Sequence, residues 1–302
     1  MKLHFGIDLG GTKIELAVID PKFNILFRER IFTESEKGSD HVLTQLNILY
    51  KKAVKSFDFI DHSIGIGTPG SISSNTGLLR NSTIYCQNGL RLSELIQNKI
   101  QHAVTIENDA NCFTLAESLL GAGKGYPFVF GVILGTGCGG GLVYNNKLRQ
   151  GPQKLSGEWG HSIIDINGAR CFCGKRGCIN TFISGTGLEN NIKIKLNKTI
   201  TAENFLNQKS YTREENAILK EFYKNFGLAL SNIINILDPD VVVIGGGLSN
   251  HKFLYSTGVD EVYANIFSSD RPTTPILKNS LGDSAGVIGA AIIGINHFNE
   301  AY

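Results

Sequence analysis

The chain has 302 residues, of which 42% are hydrophobic, and this length and composition predict roughly two domains with packed cores. Lys and Arg number 29 and Asp and Glu number 27, so the net charge of +2 gives no basic surplus for nucleic acid or a membrane surface. The apolar run at residues 3–5 is too short for a signal peptide, and no run of about 18 apolar residues could span a bilayer. We therefore expect a cytoplasmic protein that has neither nucleic acid nor a membrane as its partner.

The first motif is a turn between two strands. Apolar runs at residues 3–9 and 14–19 flank the sequence Gly10-Gly11-Thr12-Lys13. Such a turn offers backbone N–H groups to a phosphate, and Asp8 beside it could hold Mg²⁺ or its waters. The same glycines could merely shape a hairpin, and this stretch alone does not separate the two interpretations.

The next elements alternate between strand and helix patterns. Val42, Leu46 and Leu49 recur at helical spacing, which predicts an amphipathic helix. The predicted order is a strand at residues 25–32, a helix at 39–57, a strand at 63–67 that ends in the turn Thr68-Pro69-Gly70-Ser71, a strand at 104–107 and a helix that runs to about residue 120.

Asp109 is the strongest candidate for chemistry. It lies where a strand ends and a helix begins, which is the position that α/β sheets use for ligands, and there it could take a proton from a sugar hydroxyl. Asn and Asp are also the best helix N-caps, so Asn108 or Asp109 could be present only to satisfy backbone N–H groups. Taken in isolation, the segment favours capping.

The second half of the chain begins like the first. An apolar run at residues 128–134 is followed by the turn Gly135-Thr136-Gly137 and a returning strand at 142–144. Two loops of this kind suggest a duplicated unit that holds one polyphosphate from both sides. The repetition strengthens the phosphate interpretation of both turns.

One histidine and three cysteines form a candidate metal site. The segment Gly157-Glu158-Trp159-Gly160-His161 precedes Cys171, Cys173 and Cys178. One imidazole and three thiols match the ligands of a tetrahedral zinc, and four protein ligands leave no open position, so we expect a structural rather than a hydrolytic Zn²⁺. The alternative is three reduced thiols without a metal.

The remaining patterns are a long helix, a buried strand and a final helix. Residues 216–237 carry apolar side chains on one helical face and stop at Asp238-Pro239. A strand at 241–244 follows, and the turn Gly245-Gly246-Gly247 could pass closely by a flat ligand such as adenine, or could be an ordinary turn from strand to helix. A last apolar helix is expected at 287–295, whereas residues 190–213 show no clear period.

Taken together, these motifs resemble the ROK family of sugar kinases and repressors. The motifs are Gly6-Ile7-Asp8-Leu9-Gly10-Gly11-Thr12-Lys13, Glu107-Asn108-Asp109-Ala110-Asn111, Leu134-Gly135-Thr136-Gly137, the Glu158 and His161 segment with the cysteine loop, and Gly245-Gly246-Gly247. Within the family, residues 69–73, 182–187 and 282–284 are most similar to bacterial fructokinases of the Mak type, and N-acetylglucosamine kinases come next.

The resemblance implies an α/β protein with the actin-like ATPase (RNase H-like) fold. The expected parts are a smaller lobe at residues 1–118, a larger lobe at 119–285 with a structural zinc loop at 157–180, a cleft between the lobes, and a last helix at about 286–302 that packs back on the first lobe. Members of the family commonly form dimers, so a homodimer is the expected assembly.

The resemblance also implies roles for individual residues. Asp109 becomes the general base that deprotonates a hexose, on the hydroxyl of carbon six. The sugar would contact Ser71, Asn81, Asn108, Asp109, Glu158, His161 and Asn180. Mg²⁺-ATP would be held by Asp8, Gly10, Gly11, Thr12, Lys13, Gly135, Thr136, Gly137, Gly245, Gly246 and Gly247. The first expected substrate is D-fructose, and the alternatives are N-acetylglucosamine, glucose and mannose.

Asn180 departs from the family pattern. After the last cysteine and an isoleucine the family usually has a glutamate whose carboxylate contacts the sugar, and here Ile179 is followed by an asparagine. Asn can accept through its carbonyl oxygen, but it is shorter, neutral and also a donor. The choice among fructose, mannose, glucose and N-acetylated sugars is therefore open.

The resemblance allows two functions other than catalysis. The family's repressors carry a helix-turn-helix ahead of the first phosphate strand, and here that strand follows Met1 almost at once, so we expect no such module. A sugar-binding regulatory protein without turnover is the other alternative. Asp109 and both phosphate turns argue against it, whereas Asn180 argues mildly for it.

Overall fold

The computed structural model describes residues 2–58, 60–270 and 272–295, which contain two five-stranded sheets built on the same plan. The first sheet has the strand order β3 (Ile25–Phe32), β2 (Lys13–Ile19), β1 (Leu3–Leu9), β4 (His62–Thr68) and β7 (Thr105–Asn108). The second has the order β10 (Lys147–Leu148), β9 (Cys138–Tyr144), β8 (Phe128–Leu134), β11 (Val241–Gly245) and β12 (Ile276–Lys278). In each sheet three strands form an antiparallel meander, and two more strands join it in parallel. The second half of the chain thus repeats the topology of the first.

The first sheet and its helices come from the chain up to α3. In chain order the elements are β1 (Leu3–Leu9), β2 (Lys13–Ile19), β3 (Ile25–Phe32), α1 (Ser39–Lys55), β4 (His62–Thr68), β5 (Ser71–Ile72), β6 (Leu79–Arg80), α2 (Leu92–Ile100), β7 (Thr105–Asn108) and α3 (Asp109–Leu120). Strands β5 and β6 form a small separate hairpin.

The second sheet and its helices follow. The elements are β8 (Phe128–Leu134), β9 (Cys138–Tyr144), β10 (Lys147–Leu148), a 3₁₀ turn (Glu158–His161), α4 (Asn180–Ile183), α5 (Gly185–Leu196), α6 (Ala202–Leu206), α7 (Arg213–Leu237), β11 (Val241–Gly245), α8 (Thr257–Asn265), β12 (Ile276–Lys278) and α9 (Ala285–Ile293).

The elements with a long apolar pattern were predicted within a few residues. The long helix α7 begins three residues earlier than expected because Thr212 and Glu215 form a reciprocal capping box at its start. It ends at the expected place, where Asp238 takes a left-handed conformation with φ of 45° ahead of Pro239.

The sequence did not reveal α2, α5, α6 and α8. Helix α5 buries only Gly185, Gly187, Leu188 and Ile192, and α6 has 5 residues. With so few buried apolar positions, neither helix leaves a clear 3.6-residue period, which explains why residues 190–213 looked irregular.

Helices α3 and α9 form the layer between the two sheets. All the residues of α9 except Gly286 are buried, and its side chains share one hydrophobic cluster with α3 and with Val129, Val143 and Val241 of the second sheet. This packing explains why the final helix reads as apolar on every face.

Helix α9 lies directly on the backbone of the first sheet. A Cβ atom at Gly6 would be 2.0 Å from the Val287 carbonyl oxygen, and one at Gly65 would be 1.8 Å from the Ala290 carbonyl oxygen. No side chain fits at these distances, so glycine is required on β1 and β4 for the helix to approach. The last helix therefore returns to the sheet that the start of the chain builds.

The predicted lobe limits at residues 118 and 285 stay predictions. The first falls inside α3, which ends at Leu120, and the second coincides with the start of α9. The predicted extension of the last helix over residues 296–302 lies outside the described residues. In the described ranges, no helix combines the length and apolarity needed to cross a bilayer.

Candidate active site

The first predicted phosphate loop is the turn between β1 and β2, and neighbouring residues hold its carbonyl groups by hydrogen bonds. Thr33 Oγ1 donates to the Gly10 carbonyl at 2.7 Å, and Ser35 Oγ donates to the Gly11 carbonyl at 3.1 Å. The Thr33 amide donates to the Thr12 carbonyl at 2.9 Å. The Gly11 and Thr12 amides donate to no acceptor within residues 2–58, 60–270 and 272–295. The loop thus presents N–H groups, which suits anionic oxygens.

The second phosphate loop, between β8 and β9, repeats this arrangement. The Gly185 amide donates to the Gly135 carbonyl at 2.8 Å, and the Thr186 amide donates to the Thr136 carbonyl at 3.2 Å. The amides of Thr136 and Gly137 have no acceptor in the part of the chain that the structure describes. Both glycine turns therefore present N–H groups while neighbouring segments hold their carbonyls.

Asn108, rather than Asp109, is the N-cap of α3. Its Oδ1 accepts from the Ala110 amide at 2.9 Å and from the Asn111 amide at 3.3 Å, and its Nδ2 donates to the Gly70 carbonyl at 3.1 Å. Asp109 is the first helical residue, and its Oδ1 also accepts from the Ala110 amide at 2.9 Å. Capping thus belongs to Asn108, and the second carboxylate oxygen of Asp109 accepts from none of the described residues.

Asp8 and Asp109 line one cavity of about 490 Å³. Burial raises the pKa of Asp8 to about 7, and the charges of Asp109 and Glu15 add to the effect while Arg30 opposes it. Burial also raises the pKa of Asp109, and the nearby charge of Glu158 adds to it. Both carboxylates are thus less easily ionised than in water, and a divalent cation beside them would favour their ionised forms.

The glycines that follow β11 form another wall of this cavity. Gly246 and Gly247 line it, and Gly246 takes a φ of 82°, where a Cβ atom would be 2.4 Å from the Leu134 carbonyl oxygen. Gly245 is instead packed against the ring of Phe113, which a Cβ atom would approach to 2.4 Å. Two of the three predicted adenosine-side glycines thus reach the cavity, and the third permits close packing behind it.

The first loop stands apart from this cavity. Lys13, at the start of β2, is exposed and lines a separate cleft of about 220 Å³ beside Arg30. Arg30 in turn donates from Nε to the buried Glu15 carboxylate at 2.5 Å, and Arg28 pairs with the same carboxylate. The structure thus places positive charge at the outer side of the first loop.

A second cavity, of about 810 Å³, gathers Asn81, Glu158 and His161. Glu158 and His161 are the first and last residues of the 3₁₀ turn, and Trp159 between them is buried and donates from Nε1 to the Gly139 carbonyl at 2.8 Å. This anchor on β9 holds both polar side chains at the cavity wall. Carboxylate, imidazole and amide groups together can pair with sugar hydroxyls.

Arg80 modifies the charge of this cavity. Burial raises the pKa of Glu158, and the Arg80 guanidinium opposes that shift. Arg80 also donates from an Nη atom to the Gln153 carbonyl at 2.5 Å, so it connects the β5–β6 hairpin to the segment after β10. No local sequence pattern could predict this contact, because Arg80 and Gln153 are far apart along the chain.

The cysteine loop brings its predicted ligands together. One ligand atom from each of His161, Cys171, Cys173 and Cys178 lies within 4.8 Å of the others. The Cys171 Sγ atom is 3.6 Å from His161 Nδ1, and the Cys173 and Cys178 Sγ atoms are 3.6 Å apart. Such separations fit a tetrahedral zinc, whose Zn–S bonds are about 2.3 Å long. With Nδ1 on the metal side, His161 Nε2 stays available for another partner.

Three residues that the resemblance places at the sugar line neither cavity. Ser71 is buried in β5, and its hydroxyl has no partner in the described ranges. Asn108 is engaged as the cap of α3, and Asn180 Oδ1 accepts from the Cys138 amide at 2.8 Å. Their contacts with the sugar stay predictions.

Sequence reasoning missed several residues of both cavities. They are Ser82, Tyr85, Asn88, Leu155, Ile163, Phe172 and Lys175 in the larger cavity, and Ser249, Asn250, Lys278, Asn279 and Ser280 in the smaller one. A usable signal was the position of Asn81-Ser82 and Asn279-Ser280 at the ends of short strands.

Comparison with known proteins finds sugar kinases of similar sequence and fold. An N-acetyl-D-glucosamine kinase from Pasteurella multocida is 32% identical over 305 residues, which cover 96% of this chain and 99% of that protein. The structure of a ROK hexokinase from Thermus thermophilus matches with a TM-score of 0.84 at 27% identity, over 96% of this chain and 97% of that one. A ROK family glucokinase from Streptomyces griseus, solved with glucose and AMPPNP, matches with a TM-score of 0.83 at 25% identity, over 96% and 98%.

These matches confirm the predicted α/β, actin-like ATPase fold. The ROK family pattern itself matches residues 4–296, nearly the full length of the sequence. The chain therefore belongs to the ROK family and is a sugar kinase of that family.

Proposed function

We propose that this kinase transfers the γ-phosphoryl group of ATP to the carbon-six hydroxyl of a hexose or an N-acetylated hexosamine. The position of Asp109 carries the proposal. It shares the smaller cavity with Asp8 and the glycines after β11, and it lies close enough to Glu158 of the larger cavity for the two carboxylates to interact. These two observations support a position for Asp109 between the nucleotide and the sugar.

In this mechanism Asp109 accepts the proton of the sugar hydroxyl as its oxygen attacks the γ-phosphorus, and ADP leaves. The two glycine loops supply N–H groups to the phosphates, since phosphoryl transfer needs mainly positioning and charge neutralisation. Mg²⁺ bound with ATP would offset the desolvation and the neighbouring carboxylate charges that raise the pKa of Asp8.

Asn81, Glu158 and His161 are the proposed sugar contacts. Glu158 accepts hydrogen bonds from sugar hydroxyls when it is ionised, and Arg80 favours that ionised form. His161 presents Nε2 to the sugar while Nδ1 faces the cysteines. We assign His161, Cys171, Cys173 and Cys178 as ligands of a structural Zn²⁺, which would hold the imidazole in one orientation.

N-acetyl-D-glucosamine is the first candidate substrate. The Pasteurella multocida relative is named for this sugar, and it matches over 96% of the chain. The larger cavity also sets the apolar side chains of Tyr85, Leu155 and Phe172 next to its polar ones, where an acetamido methyl group could be buried. D-fructose is the second candidate, favoured by the Mak-type motifs at residues 69–73 and 182–187.

A direct assay tests the activity. We expect purified protein with Mg²⁺-ATP to release ADP in the presence of a hexose, and kcat/KM for N-acetylglucosamine to exceed that for fructose by about 10-fold or more, because one well-matched substituent contributes about 1–3 kcal/mol. A coupled ADP assay over N-acetylglucosamine, fructose, mannose and glucose measures both. No ADP release above background with any sugar would refute the kinase proposal.

The role of Asp109 has its own test. Asp109→Asn should lower kcat by about 10²–10⁴-fold with the KM for sugar nearly unchanged, since a positioned base contributes that much to the rate but little to ground-state binding. Asp270→Asn, on an exposed side chain, is the matched control and should retain full activity. Turnover of the Asp109 variant at the wild-type rate would remove this residue from the role.

Asp8 should make the free energy of unfolding depend on pH. Because its pKa rises from 3.8 to about 7 on folding, the folded protein keeps a proton that the unfolded chain has lost, so Asp8 makes the free energy of unfolding fall as pH rises through that window. Asp8→Asn removes the effect. Its gain in stability over wild type should grow by about 1–3 kcal/mol between pH 5.5 and pH 8 in urea unfolding without Mg²⁺ or nucleotide.

The exposed Asp260→Asn serves as the control for that experiment and should show no such trend. An Asp8→Asn gain that is equal at both pH values would show that the Asp8 carboxyl is not held protonated by burial.

Zinc binding is tested by removing one ligand. Cys173→Ser should lower the zinc content well below one atom per chain, lower the Tm by about 5–10 °C and raise the KM for sugar, because the metal folds the loop that orients His161. Elemental analysis, melting curves and sugar kinetics measure the three effects. Cys86→Ser, which lies outside the cluster, is the control for metal content. Unchanged zinc content and melting in Cys173→Ser would contradict a structural metal.

A further inference from the structure

Asn180 occupies the position where the family usually contacts the sugar, yet its side chain is directed to the second phosphate loop. Its Oδ1 accepts from the Cys138 amide at 2.8 Å, and a Cβ atom at Gly137 would lie 3.4 Å from the same oxygen. Asn180 lines neither the larger nor the smaller cavity.

This hydrogen bond completes the set of contacts that hold the loop. The carbonyls of Gly135 and Thr136 are held from the start of α5, and the Gly135 amide donates to the Gly137 carbonyl at 3.0 Å within the loop. Cys138 is where the loop passes into β9, and Asn180 supplies the acceptor for its amide. Without that acceptor, the carboxyl-terminal end of the loop loses its side-chain anchor.

Asn180 is itself held firmly. It is the first residue of α4, two positions after the ligand Cys178. Ser184 Oγ donates to the Asn180 carbonyl at 2.6 Å, and the Thr181 amide donates to the Cys178 carbonyl at 2.8 Å. The Ser184 hydroxyl also accepts from the Gly187 amide at 3.0 Å and so caps α5, whose start holds the loop carbonyls. The cysteine loop, α4 and the phosphate loop thus form one connected network.

We propose that Asn180 is a positioning residue for the nucleotide. Its side chain fixes the second phosphate loop through the Cys138 amide, and it does not make the sugar contact that a glutamate makes at this position elsewhere in the family. The inference rests on the proposed kinase function. A neutral acceptor suits this position, because a carboxylate there would place a negative charge beside a loop that receives phosphates.

Nucleotide binding measures this role directly. Asn180→Ala should weaken the binding of Mg²⁺-ADP, followed by calorimetry, and should raise the KM for ATP, each by about 3- to 10-fold, the range expected for one lost hydrogen bond. The KM for sugar should change less than 2-fold, since Asn180 lies outside the larger cavity. Asn190→Ala, on an exposed face of α5, is the matched control and should behave as wild type.

Asn180→Glu separates the two roles. If the side chain positions the loop, the added charge weakens nucleotide binding by at least as much as the alanine change does and brings no gain in sugar KM. If the side chain contacts the sugar, restoring the family's glutamate lowers the sugar KM and leaves the nucleotide constants unchanged, and that result would overturn the proposal.

Two further readouts keep the outcomes distinct. Melting curves verify that the Asn180→Ala protein is folded. If that protein is unfolded, Asn180→Ser takes its place, because the serine side chain is one bond shorter and cannot reach the Cys138 amide. A wild-type protein that binds Mg²⁺-ADP but phosphorylates no sugar would refute the proposed function alone. Nucleotide affinity in folded Asn180→Ala equal to wild type would refute the positioning role alone.

Discussion

The structure depends on one electrostatic constraint, which is that two carboxylates line the same cavity. Asp8 at the end of β1 and Asp109 at the start of α3 line the same space, and burial raises the pKa of each. Two neighbouring carboxylates of this kind are stabilised by added positive charge, and a carboxylate with a raised pKa is a better proton acceptor. In the proposed reaction a magnesium nucleotide would supply the positive charge, and a sugar hydroxyl would supply the proton.

The fold tolerates this constraint because the surrounding backbone is closely packed. Helix α9 can lie on β1 and β4 only because Gly6 and Gly65 carry no side chain, and it fills the space beneath the two carboxylates with apolar groups. In the two glycine loops, neighbouring segments hold the carbonyl groups by hydrogen bonds. Rigid N–H groups of this kind bind phosphate without paying the entropy of ordering a loop.

The cysteine loop connects the sugar side to the nucleotide side. His161, a proposed zinc ligand, lines the larger cavity, and Asn180, two residues beyond Cys178, holds the second phosphate loop. One segment thus supplies a wall of the larger cavity and a hydrogen bond to the second glycine loop. The proposed structural ion would therefore affect both regions without any chemical step of its own.

The sequence by itself determined the strands and helices with long apolar patterns, both glycine turns and the cysteine and histidine cluster, because period, turn chemistry and ligand type are local properties. Residue patterns also left Asn108 and Asp109 as equal candidates for the cap. Only the tertiary structure separated them: Asn108 Oδ1 accepts from the Ala110 and Asn111 amides, and its Nδ2 donates to the Gly70 carbonyl, which is remote along the chain.

Only the tertiary structure likewise decided the hydrogen-bond partners of Arg80 and Asn180 and the assembly of the two cavities. The resemblance predicted that Asn180 contacts the sugar. In the fold its side chain accepts from the Cys138 amide, 42 positions away. Burial, which decides the pKa of Asp8, depends on a helix formed by the last described residues of the chain. Local pattern therefore determined which groups are present, and long-range packing decided which of them meet, because contact and desolvation are properties of the folded chain alone.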